Sequence, residues 1–114
     1  KSSESIFFDW SHIPMHKDGP SAGLGLLIAI ISHRYSKKIP KSYAFTGAIS
    51  SFGDVMPVGG IKEKLEGAYI HGIKEVFIPK ENFINLSELS SKIKSELIIT
   101  LVDNYTQVVK KIWN

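Results

Sequence analysis

Hydrophobic and polar positions along the chain change period several times, and each change predicts an element. Ile6, Phe8 and Trp10 alternate with Phe7, Asp9 and Ser11, the two-residue period of a half-buried strand. Ser11 to Gly19 carries Pro14, two histidines and Lys17-Asp18-Gly19, which reads as a loop, and Pro20 is placed to start a helix running to about Ser36. That helix is apolar on almost every side, through Leu24, Leu26, Leu27, Ile28, Ile30 and Ile31. It is therefore expected to be central and buried, with Gly23 and Gly25 letting another backbone come close.

Tyr43 to Ile49 is a second strand candidate, Ser50 to Asp54 a turn, and Val55 to Val58 a third strand halted by Gly59-Gly60, so a hairpin is expected. A helix follows from about Ile61 to His71 with Gly72 as its C-terminal cap, then a strand over Glu75 to Pro79. Ser87 is placed to cap a short helix to about Lys94, and Leu97 to Val102 is a continuous apolar run suited to a buried strand. Tyr105, Val108, Val109, Ile112 and Trp113 recur at i, i+3, i+4, i+7 and i+8, the stripe of an amphipathic helix. The alternation predicts an α/β fold of the α+β type, a layered sheet with packed helices.

Composition narrows the classes. The 114 residues are 43% hydrophobic and 22% charged, which excludes disorder and fibrous repeats and suits one domain over 1–114. Net charge is +3 with the signs interspersed, so this domain gives no support to nucleic-acid binding. The cluster Arg34, Lys37, Lys38 and Lys41 reads as the complement to a helix C-terminus and a solvated loop. There is no cysteine, hence no disulfide framework, thiol nucleophile or thiolate metal site. The apolar run from Leu24 to Ile31 is too short to span a bilayer, and no membrane partner is expected. The opening residues, without an initiating Met, are expected to belong to a longer polypeptide.

Two segments carry candidate chemistry. Lys17-Asp18-Gly19-Pro20-Ser21-Ala22-Gly23 delivers one serine to the start of an apolar helix. Taken alone, its hydroxyl is read first as a helix cap, and second as a nucleophile whose oxyanion the first-turn amides would stabilise. A nucleophile needs a base, and His12, His16, His33 and His71 show no triad spacing; His12 and His16 alone make a weak metal pair, so no metal is assigned. The other base candidates lie in Pro57-Val58-Gly59-Gly60-Ile61-Lys62-Glu63-Lys64-Leu65. On a helix, Lys64 flanks the Ile61, Leu65 and Ala68 stripe and is expected to be partly desolvated, which would favour a neutral amine. Lys62 falls on the other side, solvated and able to pair with Glu66. From spacing alone an ordinary snorkelling lysine is the favoured reading of Lys64.

These segments, with Thr46-Gly47, Gly72-Ile73-Lys74 and Ile78-Pro79-Lys80-Glu81-Asn82, closely resemble the proteolytic domain of the Lon family, ATP-dependent serine proteases with a Ser-Lys dyad. The ordered match covers about residues 16 to 82. The resemblance implies a C-terminal portion of a Lon-like proteolytic domain, with Ser21 as nucleophile and Lys64 as general base. It implies supporting roles for Asp18, Thr46, Gly19, Pro20 and Ala22: Thr46 as a partner of the lysine, Asp18 as a gate or loop holder, and amides near Ser21 as the oxyanion hole. It further implies degradation of unfolded or damaged polypeptides, a hexameric ring, a cytoplasmic or organelle-matrix location, and no cofactor in this domain, ATP and magnesium belonging to an upstream ATPase module. Ala48 stands where the family commonly has glutamate, and Ser51-Phe52 where it has Leu-Arg. Two other readings stay open: a noncatalytic module cradling phosphate at a helix N-terminus, by Asp18 to Gly23 or Gly59-Gly60, and a retired assembly scaffold.

Overall fold

A computed structural model describes residues 23–114. The expected strand over Ile6 to Trp10, the loop to Gly19 and the start of the first helix lie outside the described residues. Helix α1 covers Gly23–Tyr35 and ends where Ser36 takes a left-handed φ of 54°. The Lys37 amide there reaches back to the Ser32 carbonyl at 2.9 Å, satisfying an orphan acceptor of the last turn.

The expected strand over Tyr43 to Ile49 is two strands. β1 (Tyr43–Phe45) joins one sheet, and β2 (Ala48–Ile49) pairs antiparallel with β3 (Val55–Met56). The break falls at Thr46-Gly47, where Gly47 has φ 145° and a Cβ would meet Val55 Cγ1 at 2.8 Å and Pro79 Cγ at 3.2 Å. Only a residue without a side chain fits this crossing from one sheet to the other. The turn between β2 and β3 is closed by Ser50, whose Oγ accepts from the amides of Phe52 and Asp54, and by Gly53 at φ 87°.

Helix α2 spans Ile61–Ile70. Gly72, at φ 79°, sends its amide to Tyr69 O, and Ile73 sends its amide to Ala68 O, the paired C-terminal bonds that the glycine predicted. β4 (Glu75–Pro79) is buried along its whole length. A 3₁₀ helix over Lys80–Glu88 follows, then α3 (Ser91–Glu96). The cap of α3 is Ser90 rather than Ser87: Ser90 Oγ accepts from the Ile93 amide, whereas Ser87 Oγ donates to Ile84 O inside the 3₁₀ turn. β5 covers Ile98–Val102 and α4 covers Tyr105–Trp113.

β1, β4 and β5 form a parallel sheet in the order β1-β4-β5, with Phe45 opposite Phe77 and Phe77 opposite Thr100. Buried side chains fall into two clusters that β4 separates by alternation. Phe77 belongs with Leu24, Leu27, Ile28 and Ile31 of α1 and Val108 and Val109 of α4. Val76 and Ile78 belong with Ile61 and Leu65 of α2, with Leu89 and Leu97, and Ile93 of α3 packs against them. The sheet is thus the middle of three layers, an α/β arrangement as expected. α1 is less enclosed than its composition predicts: Leu24, Leu27, Ile28 and Ile31 are buried, but Leu26 is 44% exposed and Ala29, His33 and Arg34 face outward. Gly25 meets Phe45 at an ordinary 3.9 Å rather than in an unusually close approach.

The amphipathic stripe of α4 is realised as read, and its start is fixed by a capping box: Asn104 Oδ1 accepts from the Thr106 amide and Gln107 Oε1 from the Asn104 amide. Asn104 Nδ2 also donates to Asp54 Oδ1, tying the hairpin to this helix, and Trp113 Nε1 donates to Lys38 O at the other end. Asn104→Ala is expected to lower unfolding free energy by about 1 kcal/mol, read from the urea midpoint at constant m.

Candidate functional site

In a parallel sheet all strands end on the same side, and side chains and loops gathered there can converge on a ligand. Three segments from the sequence reading approach this carboxyl edge. The first is the start of α1, because the Leu24 amide, unpaired within its own helix, donates to the Gly47 carbonyl at 2.9 Å. That bond ties Leu24, three positions after Ser21 in the chain, to the residue following Thr46.

The second is Thr46, at the end of β1. Its amide donates to Phe77 O at 3.0 Å, continuing the β1 to β4 pairing one residue past the strand. The side chain is 5% exposed, and its Oγ1 is buried with no hydrogen-bond partner among the described residues. Leaving a buried hydroxyl unpaired costs about 1–3 kcal/mol, so the atom stands available to a donor or acceptor brought to it.

The third is the loop from Pro57 to Gly60 leading into α2. Val58 is held at both of its backbone polar atoms by one side chain: its amide donates to Asn82 Oδ1 at 3.0 Å, and its carbonyl accepts from Asn82 Nδ2 at 2.9 Å. Asn82 lies just past the end of β4, is 4% exposed, and also donates to Asn85 Oδ1 at 2.8 Å. Gly60 precedes α2 in the left-handed region at φ 72°. Lys64 Nζ folds back to donate to Gly59 O at 3.2 Å, and lies 3.8 Å from where a Gly60 Cβ would stand. Helical side chains lean toward the N-terminus, which explains why Lys64 reaches this loop rather than the core.

The expected contrast between the two lysines is reversed. Lys64 is exposed and Lys62 is half-buried, because the stripe formed by Ile61 and Leu65 packs on the sheet while the Gly59-Gly60 segment beneath Lys64 has no side chains to cover it. No ion pair joins Lys62 to Glu66 among the described residues. Ser21, with Asp18, Gly19, Pro20 and Ala22, lies outside the described residues, as do His12 and His16. No group of three or more His, Asp or Glu able to hold a metal occurs among the described residues.

Ala48, one of the departures from the family pattern, pairs with Met56 in the hairpin, and Phe52 projects from its turn at 84% exposure. A shallow cleft lined by Ala29, Ile30, His33 and Arg34 opens on the half of α1 remote from Gly23 and includes neither Thr46 nor Lys64. Asn82 had not been singled out as a functional residue by sequence reasoning. Its signal was an uncharged amide closing the Lys80-Glu81 step immediately after a fully apolar strand end.

On α2, Tyr69 donates its hydroxyl to Glu96 Oε1 at 2.6 Å, and this bond, with burial and the carboxylate charge, raises the phenol above its usual 10.0. At the opposite edge of the sheet the buried Glu75 carboxylate accepts from Thr100 Oγ1 at 2.6 Å and lies 3.7 Å from Lys111 Nζ. The first contact joins two helices of one layer; the second joins neighbouring strands of the sheet and ties that sheet to α4 through Lys111.

Comparison with known proteins identifies the family. The family described as the Lon protease (S16) C-terminal proteolytic domain matches residues 5–114. The chain is 41% identical over 105 residues to the Lon protease of Malacoplasma penetrans and 42% over 106 to that of Mycoplasma pneumoniae, in each case 90% of this chain and 13% of the relative. It is 40% identical over 117 residues to the mitochondrial Lon protease homolog of Caenorhabditis briggsae, covering 96% of this chain and 12% of the relative. The chain therefore spans about an eighth of the length of these bacterial and mitochondrial relatives. A match through residues 5–114, over the α/β layers and the edge described above, means that the chain belongs to the Lon protease family, in its C-terminal proteolytic domain.

Proposed function

We propose that this chain is the peptide-cleaving part of an ATP-dependent serine endopeptidase that degrades unfolded or damaged proteins through a Ser21-Lys64 dyad. The observation that supports it most is the meeting, at one sheet edge, of the start of α1 just after Ser21, the orphaned Thr46 hydroxyl and the clamped loop before Lys64. The Lys64 amine, in its neutral form, takes the hydroxyl proton as Ser21 Oγ attacks the peptide carbonyl carbon. The tetrahedral intermediate collapses as the proton passes to the leaving amine, leaving an ester on Ser21. Water then attacks the ester, gives a proton to Lys64, and the acid product leaves as Ser21 Oγ regains a proton.

Backbone amides near Ser21 would form the oxyanion hole, and the dipole of α1 has the right sign to assist. Thr46 Oγ1 is the partner that would fix the lysine, and Asp18, Gly19, Pro20 and Ala22 shape the loop that presents Ser21. Polypeptides are the substrate class, the working assembly is a hexameric ring, and ATP with magnesium acts in another part of the full-length protein. Cytoplasm or an organelle matrix is the proposed location; among the described residues no helix is long and apolar enough to cross a membrane.

Ser21→Ala in the full-length protein is expected to lower peptide turnover by at least about 10³-fold and to abolish acyl-enzyme trapping by mass spectrometry. Substantial turnover in that variant would overturn the dyad. Saturable phosphate or nucleotide binding lost in Ser21→Ala, with no acylation of the wild type, would favour an anion-binding module instead.

A further inference from the structure

Asn82 spends its whole amide on positioning. Its Oδ1 accepts from Val58 N at 3.0 Å, one Nδ2 hydrogen goes to Val58 O at 2.9 Å and the other to Asn85 Oδ1 at 2.8 Å. The two bonds to Val58 form a closed ring that copies a strand pairing across 24 residues of chain, in a segment where β3 has already ended and α2 has not begun. The next carbonyl after Val58, that of Gly59, is the acceptor for Lys64 Nζ.

The Gly60 carbonyl accepts from the Lys64 amide at 3.0 Å, but Gly59 has nothing within 4 Å of a Cβ position and Gly60 sits at φ 72°, so no side chain of the diglycine helps to orient the Gly59 carbonyl. A glycine pair has the widest backbone freedom available, and its orientation must be set from outside. From the β4 side, Asn82 supplies that constraint from a site 4% exposed, where water does not compete for its bonds.

We infer that Asn82 is a positioning residue for the dyad, fixing Val58 so that the Gly59 carbonyl holds the Lys64 amine at one place above the diglycine. This rests on the reading of Lys64 as general base. The prediction is about the rate of chemistry and leaves substrate binding alone, since Asn82 is buried behind the loop.

The test uses the full-length protein and a fluorogenic peptide, with rates expressed per active site counted by acyl-enzyme trapping where Lys64 is present and per folded protein in the Lys64→Ala background. Asn82→Ala removes all three bonds; Asn82→Asp keeps the acceptor for Val58 N but removes both donated bonds and sets a carboxylate against two oxygens. Each is expected to lower kcat per titrated site by at least tenfold with KM changed less than twofold. Asn85→Ala, which leaves the Val58 ring intact, should keep kcat within threefold. The loss from Asn82→Asp should vanish in a Lys64→Ala background, because groups acting through one another are not additive.

A lowered melting temperature with kcat per site unchanged would make Asn82 a structural residue and overturn the inference, as would equal losses in the Lys64→Ala background. If Asn82→Ala does not fold, Asn82→Asp decides by the same criteria. Undiminished turnover in Ser21→Ala and Lys64→Ala would overturn the dyad itself, and the inference with it; loss in those two with full kcat in both Asn82 variants overturns the inference alone.

Discussion

Lys64→Ala is expected to reduce peptide turnover in the full-length protein by about 10²- to 10⁴-fold, the range that a positioned general base contributes. Lys64→Arg is expected to be as inactive as the alanine variant. A guanidinium keeps its proton at any working pH, so it cannot accept one from a serine hydroxyl, and its planar fork cannot reproduce the single amine seated against Gly59 O at 3.2 Å. Lys62→Ala, on the same helix but half-buried and not among the side chains beside the Gly60 Cβ position, should leave turnover near that of the wild type. The measurement is kcat and KM for one peptide across the three variants, with circular dichroism to establish that each is folded. Recovery of activity in Lys64→Arg would remove lysine as the base, and a loss in Lys62→Ala equal to that in Lys64→Ala would assign the role to the wrong residue.

The largest expected effect on stability is that of Phe77→Ala, a loss of about 3–5 kcal/mol. Phe77 is fully buried at the middle of the central strand, stacked on Phe45 with centroids 5.5 Å apart and 15° between planes, and edge-on to Tyr43 at 5.6 Å. Removing the ring leaves a cavity bounded by the sheet and by α1, and rigid neighbours on both sides can collapse into it only partly. Phe52, of equal size but 84% exposed, is the internal control, and Phe52→Ala should stay within about 0.5 kcal/mol. Urea midpoints at equal m would give both values. A Phe77→Ala loss below about 1 kcal/mol would contradict the position of β4 between the two buried clusters. The Phe77 carbonyl also receives the Thr46 amide, so partial loss of catalytic geometry should accompany the loss of stability.

Local signals that decide a structure without help from distant residues were legible. The borders of β4 came from a charged residue and a proline around a short apolar run, and the end of α2 from Gly72, because a left-handed terminus needs little but the glycine itself. The α4 stripe was equally secure, since its period alone sets which face is buried. Ser90 against Ser87 was not decidable in this way: both serines can cap, and the choice went to the one that follows the 3₁₀ turn after Pro79.

By itself the sequence determined the α/β layering, the family, and the identity of Ser21, Thr46 and Lys64 as the residues to examine, because periodicity and motif spacing are properties of the chain. Tertiary structure decided the rest. The break of the second strand at Thr46-Gly47 depends on Val55 and Pro79 leaving no room for a side chain at residue 47. The exposure of Lys64 depends on the absence of side chains at Gly59 and Gly60 beneath it, and the order of that diglycine on an asparagine 24 residues away from Val58. Such pairings are set by packing between segments distant in sequence, and no local period encodes them.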